Sequence, residues 1–160
     1  MDIKKILTQI IDNEIKSMTG KGTGELVGIG KWEDNVVVCL NYNTVLAVIP
    51  ESWFLIDINK LIKRDISTKL IDDLLKVDAN TVQVYPTPNT VEYLKGVCRV
   101  FEGKDLTTHV DTKLLGILFD SKKDGGVTFY ARNNHSPIIV KRGDIVLGCV
   151  CPVNIKQGGN

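Results

Sequence analysis

His109 and His135 are the only histidines in the chain, and a metal site needs several Cys, His or carboxylate ligands converging at workable spacing. His109 falls in a strand-like run and His135 in a turn, so both read as packing residues. Cys149 and Cys151 would put two thiols on one face of a strand, but no second pair at zinc-ribbon spacing accompanies them. Asp72 and Asp73 are adjacent in a helical pattern, where neighbouring positions do not face each other. The sequence has neither a Gly-x-Ser-x-Gly elbow nor a His-Glu-x-x-His run. Thr19-Gly20-Lys21-Gly22-Thr23-Gly24 has the composition of a phosphate loop. Such loops join a strand to a following helix, whose N–H groups then point at the phosphate. This one follows a helical pattern and enters a strand, so it reads as a surface loop. These residues point away from an enzyme, and no cofactor or metal is expected.

The 20 basic and 19 acidic residues leave a formal charge of +1. No global basic field therefore draws the chain toward nucleic acid. A chain of this length suits one domain and buries roughly 68–70% of its unfolded surface, enough for a core without staples. No run of about eighteen apolar residues offers a membrane span. The opening Met1-Asp2-Ile3-Lys4-Lys5 lacks the pattern of a cleaved signal. A cytoplasmic protein is expected, with Cys39, Cys98, Cys149 and Cys151 reduced and packed inside apolar strands.

The elements that position these residues are clearest over residues 97–155. A strand at 97–101, a turn at Glu102-Gly103-Lys104-Asp105 and a strand at 106–110 lead to Asp111, a residue type that caps helix starts. The helix expected over 111–120 has Leu114, Ile117 and Leu118 on one face, widened by Leu115 and Phe119. Asp124-Gly125-Gly126 breaks it. Val127, Phe129 and Ala131 alternate with Thr128, Tyr130 and Arg132, the period of a half-buried strand. Residues 133–137 are turn chemistry, Ile138-Ile139-Val140 is a buried run, and Lys141-Arg142-Gly143-Asp144 is a hairpin turn before the strand at 145–151.

At the other end, residues 2–18 predict a helix whose apolar face is Ile3, Ile6, Leu7, Ile10, Ile11, Ile15 and Met18. Lys4, Lys5, Gln9, Asp12 and Lys16 occupy its other side. Strands follow at 25–31, 36–40 and 44–49, with turns at 32–35 and at Asn41-Tyr42-Asn43. Ala47-Val48-Ile49-Pro50 closes this half as Cys149-Val150-Cys151-Pro152 closes the other. Residues 51–94 form an insertion with one or two short helices and a hairpin. Ser67 caps a helix bearing Leu70, Ile71, Leu74 and Leu75, and Pro86-Thr87-Pro88-Asn89 makes a rigid turn, since proline holds φ. Residues 156–160 are a frayed tail.

Taken in order, Glu102-Gly103-Lys104-Asp105-Leu106, Val110-Asp111-Thr112-Lys113-Leu114-Leu115, Ser136-Pro137-Ile138-Ile139 and Cys149-Val150-Cys151-Pro152-Val153 resemble the closing part of a bacterial DNA sliding clamp. Val110-Asp111 stands where that family has an aromatic-Asn pair, and Cys151 where it has Met. The resemblance implies an α+β, DNA-clamp-like (processivity) fold spanning residues 1–155. Two helix-plus-antiparallel-strand halves, 1–50 and 97–155, would share a curved sheet around the insertion.

It further implies a non-catalytic replication protein that contacts double-stranded DNA without reading sequence, assembled as an oligomer because a single domain cannot encircle a duplex. Lys4, Lys5, Lys16, Lys113, Lys122 and Lys123 would face the DNA, diluted by Asp2, Asp12, Glu14, Asp111 and Asp120 on the same helices. The alternative use of the fold is a protein-interaction module of a phage or other mobile element. Its peptide pocket would be lined by Cys149, Val150, Cys151, Pro152 and Val153.

Overall fold

The computed structural model describes residues 1, 3–19, 27–40, 44–54, 64–94, 96–120 and 125–155. Several sequence expectations lie outside these: Asp2, the glycine-rich stretch from Gly20 to Gly24, the Asn41-Tyr42-Asn43 turn, Lys122, Lys123, Asp124 and the tail at 156–160. The side chains of Glu14 and Met18 do so as well.

Helix α1 (Ile3–Thr19) opens the chain, and β1 (Gly28–Trp32), β2 (Asn35–Leu40) and β3 (Val45–Pro50) follow as an antiparallel meander. A single 3-10 turn at Glu51–Trp53 leaves β3. The two-residue β4 (Arg64–Asp65) then pairs parallel to β1. Next come α2 (Thr68–Leu75), β5 (Val82–Tyr93), β6 (Gly96–Gly103) and β7 (Leu106–Asp111). Helix α3 (Thr112–Leu118) leads into the last meander, β8 (Val127–Ala131), β9 (Ile138–Arg142) and β10 (Ile145–Val150).

All ten strands of the described residues form one sheet, in the order β4-β1-β2-β3-β10-β9-β8-β5-β6-β7. Eight of the nine strand pairs are antiparallel, the exception being β4 beside β1, and the protein is α+β. The two meanders meet where β3 lies against β10, with Ala47 opposite Gly148 and Leu46 opposite Cys149. One helix precedes each meander, α1 before β1 and α3 before β8.

Both faces of the central strands are covered, which explains why β2 and β3 read as unbroken apolar runs instead of alternating. On one face, Ile6 and Ile10 of α1 and Leu115, Ile117 and Leu118 of α3 share a single core with Val38, Ala47, Ile138 and Val140. On the other face, Ile71 and Leu75 of α2 pack on Val37, Cys39, Leu46, Val48, Ile139 and Cys149. The inserted segment thus supplies the cover for the second face. Its helix begins as the sequence predicts, with Ser67 Oγ accepting from the Leu70 N–H at 3.3 Å.

Three expectations change. The apolar face of α1 is narrower than predicted: Ile11 is 54% exposed and Ile15 53%, while Asn13 is buried at 6%. One sheet covers only about a third of a helix's circumference, so apolar residues spread over half of it cannot all be buried. Helix α3 ends at Leu118, and Phe119 is its C-cap in an extended conformation. Residues 86–89, expected as a turn, lie inside β5, which pairs with β8 at its start and with β6 further on. The register slips between Pro86 and Thr90, where prolines without N–H groups do least harm to a ladder. Val82–Tyr93 is therefore a strand of the main sheet.

The far strand β7 is not an open edge along its whole length. The Val153 N–H donates to the His109 carbonyl at 2.8 Å, and the Thr107 N–H donates to Asn134 Oδ1 at 3.2 Å. The sheet therefore returns on itself to meet the chain leaving β10.

Arg132, at the end of β8, holds the C-terminal end of α2. Its Nη1 donates to the Asp73 carbonyl at 2.6 Å and its Nη2 to the Lys76 carbonyl at 3.0 Å. These are the carbonyls a helix leaves without partners. Replacing Arg132 with Ala is expected to cost about 1–3 kcal/mol in urea unfolding and to raise amide exchange in α2 selectively. Arg132→Lys should recover only part of the loss, because an ammonium lacks the planar fork.

Candidate functional site

Lys4, Lys5 and Lys16 are exposed on α1, and Lys113 is exposed at the second residue of α3. Lys4 and Lys16 sit at opposite ends of α1, roughly 18 Å apart along its axis. They form a sparse line of charge instead of a cluster, and exposed Asp12, Ile11 and Ile15 lie between them. Lys4 and Lys5 occupy the first turn, where the helix dipole disfavours positive charge.

The five residues expected in a peptide pocket do not act together. Cys149 and Val150 are 1% and 0% exposed and belong to opposite cores, because successive strand residues face opposite sides of a sheet. Neither can meet a peptide. Cys151 is half-buried, and its N–H donates to the Thr44 carbonyl at 2.7 Å. Pro152 and Val153 line a surface depression of about 250 Å3, which they share with His109, Asn134 and His135. The histidines are thus not core residues: His109 is half-buried, His135 is exposed, and both border one depression. Only the return of the sheet brings them there, so no local sequence signal marks the pairing.

Asp111 has the richest set of contacts. It ends β7 opposite Cys98 and caps α3, its Oδ1 accepting from the Lys113 N–H at 2.7 Å and the Leu114 N–H at 3.2 Å. Its Oδ2 accepts from the Tyr93 hydroxyl. That hydrogen bond, with burial and the carboxylate's charge adding to it, pushes the Tyr93 phenol up to about 12. Burial, followed by the Asp111 charge, pushes the Cys98 thiol up to about 11. Burial likewise drives the Cys149 thiol upward, and the neighbouring Cys151 and Cys39 add to the effect. These thiols stay protonated at neutral pH, the opposite of an activated nucleophile. None of the four cysteines is in a disulfide, and three of them are buried.

Among the described residues no three His, Cys, Asp or Glu side chains converge as a metal site, and no helix is long and apolar enough to cross a membrane. No protein-family model, curated protein or solved structure matches the chain.

Proposed function

We propose that the chain is a non-catalytic, clamp-like protein that turns the side bearing α1 and α3 toward the phosphate backbone of double-stranded DNA, as an oligomer. The observation that carries this reading is the packing of both helices in one core on one sheet face, each ahead of a meander that ends at the β3–β10 junction. In a clamp-like arrangement that side lines the channel, and the exposed Lys4, Lys5, Lys16 and Lys113 would meet phosphates there. Anionic phosphates would also offset the unfavourable placement of two lysines in the first turn of α1.

A duplex titration by fluorescence anisotropy at rising salt, run with a solution-mass measurement, tests the proposal. Four phosphate contacts per chain predict an affinity falling by roughly a hundredfold between about 50 and about 200 mM salt. Changing all four lysines to Gln should abolish binding. A chain that remains monomeric and binds no duplex at low salt refutes the reading.

Ile11 and Ile15 favour a second one. They lie one turn apart on the outer side of α1, each about half exposed, and apolar side chains gain nothing from phosphates. In that reading the same helix face contacts protein. Self-association without DNA affinity in the same measurements would select it.

A further inference from the structure

A cavity of about 530 Å3 opens beside α3, within the size range of small-molecule sites. Half-buried Phe119 lines it, and Phe129 and Phe101, 5% and 0% exposed, form the buried floor beneath. Phe101 and Phe119 each meet Phe129 edge to face, at centroid distances of 5.0 and 5.6 Å. Arg99 precedes Phe101 by two residues on β6 and so shares its face of the sheet, placing a half-buried guanidinium in the cavity wall. The register slip in β5 leaves the Thr87 carbonyl free to hold that group, with Arg99 Nη1 donating to it at 2.9 Å. Among the described residues no carboxylate pairs with Arg99. The planar guanidinium keeps further N–H donors with which to bind an anion.

Gly116 supplies a second, independent observation. It sits inside α3, where glycine is disfavoured relative to alanine. A Cβ there would meet nothing within 4 Å. Neither packing nor backbone conformation requires glycine at this position, which lines the cavity. The missing side chain keeps the cavity open.

We propose that this cavity binds a small amphipathic anion: a flat apolar body over Phe119 and Pro86, with one carboxylate, sulfonate or phosphate on Arg99. Lys5 and the Asp120 carboxylate also line the cavity with opposite charges, so Arg99 sets the preference for an anion. The site is independent of the nucleic-acid reading, and its test leaves Lys5 unchanged.

The full chain is titrated with anilinonaphthalene sulfonate, a fluorescent aromatic anion, and with its uncharged counterpart N-phenylnaphthylamine. Saturable binding of the anion at one site is expected. Arg99→Gln should weaken the anion roughly ten- to a hundredfold and leave the neutral probe within about twofold. Gly116→Leu, which has open space to grow into, should fold with wild-type cooperativity and lose both probes.

Unchanged dye binding in Gly116→Leu overturns the proposal, as does an equal loss of both probes in Arg99→Gln. Inorganic phosphate competing as tightly as the dye binds would overturn the apolar half of the site. Should Arg99→Gln fail to fold, wild type decides: binding the neutral probe as tightly as the anion refutes a role for charge.

Discussion

Gly148→Ala is expected to abolish or severely weaken folding. Gly148 has φ of +146° and lies opposite Ala47, in the ladder that joins the two meanders. A Cβ built on it would stand 1.9 Å from the Leu46 carbonyl oxygen, a distance no relaxed structure tolerates. The β3–β10 ladder would have to open, and it lies between the two buried cores. Holding a non-glycine residue in that backbone region costs about 1–3 kcal/mol, and overpacking adds about 1–3 kcal/mol more. Against a total stability of about 5–15 kcal/mol, such a loss consumes much of the margin.

Thermal unfolding measures it, at about 2–4 °C per kcal/mol for a chain near this size. A melting point lowered by about 10 °C or more is expected, or no soluble folded protein at all. Gly143→Ala is the control. Gly143 also has positive φ, +57°, but its Cβ would meet nothing within 4 Å, so only the backbone cost applies. Equal melting points for the two variants would refute the steric account.

The sequence revealed structure best where a local cause decides it. Asp111 and Ser67 cap their helices as expected, because the acceptor and the N–H groups it serves are three residues apart or fewer. The Lys141–Asp144 hairpin and the alternation of Val127, Phe129 and Ala131 depend on neighbours in the chain, and both appear in the fold. Features that depend on distant partners were not visible. Two prolines in β5 look like a turn until the strand is seen to pair with β8 before them and with β6 on either side of the register slip. Ile11 and Ile15 look like core until the width of the sheet face is known. Tyr93 carries no motif that links it to Asp111, eighteen residues away. The clamp resemblance groups Cys149 and Val150 in one pocket, but adjacency within a strand separates them into two cores.

Asp111 supports the second large effect, because one buried carboxylate serves two purposes. It is 5% exposed, and its compensation consists of three donors: two helix N–H groups on Oδ1 and the Tyr93 hydroxyl on Oδ2. Asp111→Ala leaves all three unanswered. Loss of the cap costs about 0.5–2 kcal/mol, and stranding a buried polar group costs about 1–3 kcal/mol, so a total near 3 kcal/mol is expected in urea unfolding. Asp111→Asn keeps the Oδ1 acceptor and should cost about 1 kcal/mol.

The two substitutions also separate capping from electrostatics. Tyr93 titrates at about 12 against an ordinary 10.0, so the folded state holds the phenol proton more tightly than the unfolded state. That contribution to stability is fully present below pH 10 and is lost as pH climbs from 10 to 12, with the sign set by proton linkage. Tyrosinate absorbance should therefore show Tyr93 ionising late among the four tyrosines. Asp111→Asn should return it toward 10.0 while α3 stays capped. A late tyrosine that persists in Asp111→Asn would mean that burial, and not the carboxylate, holds the proton.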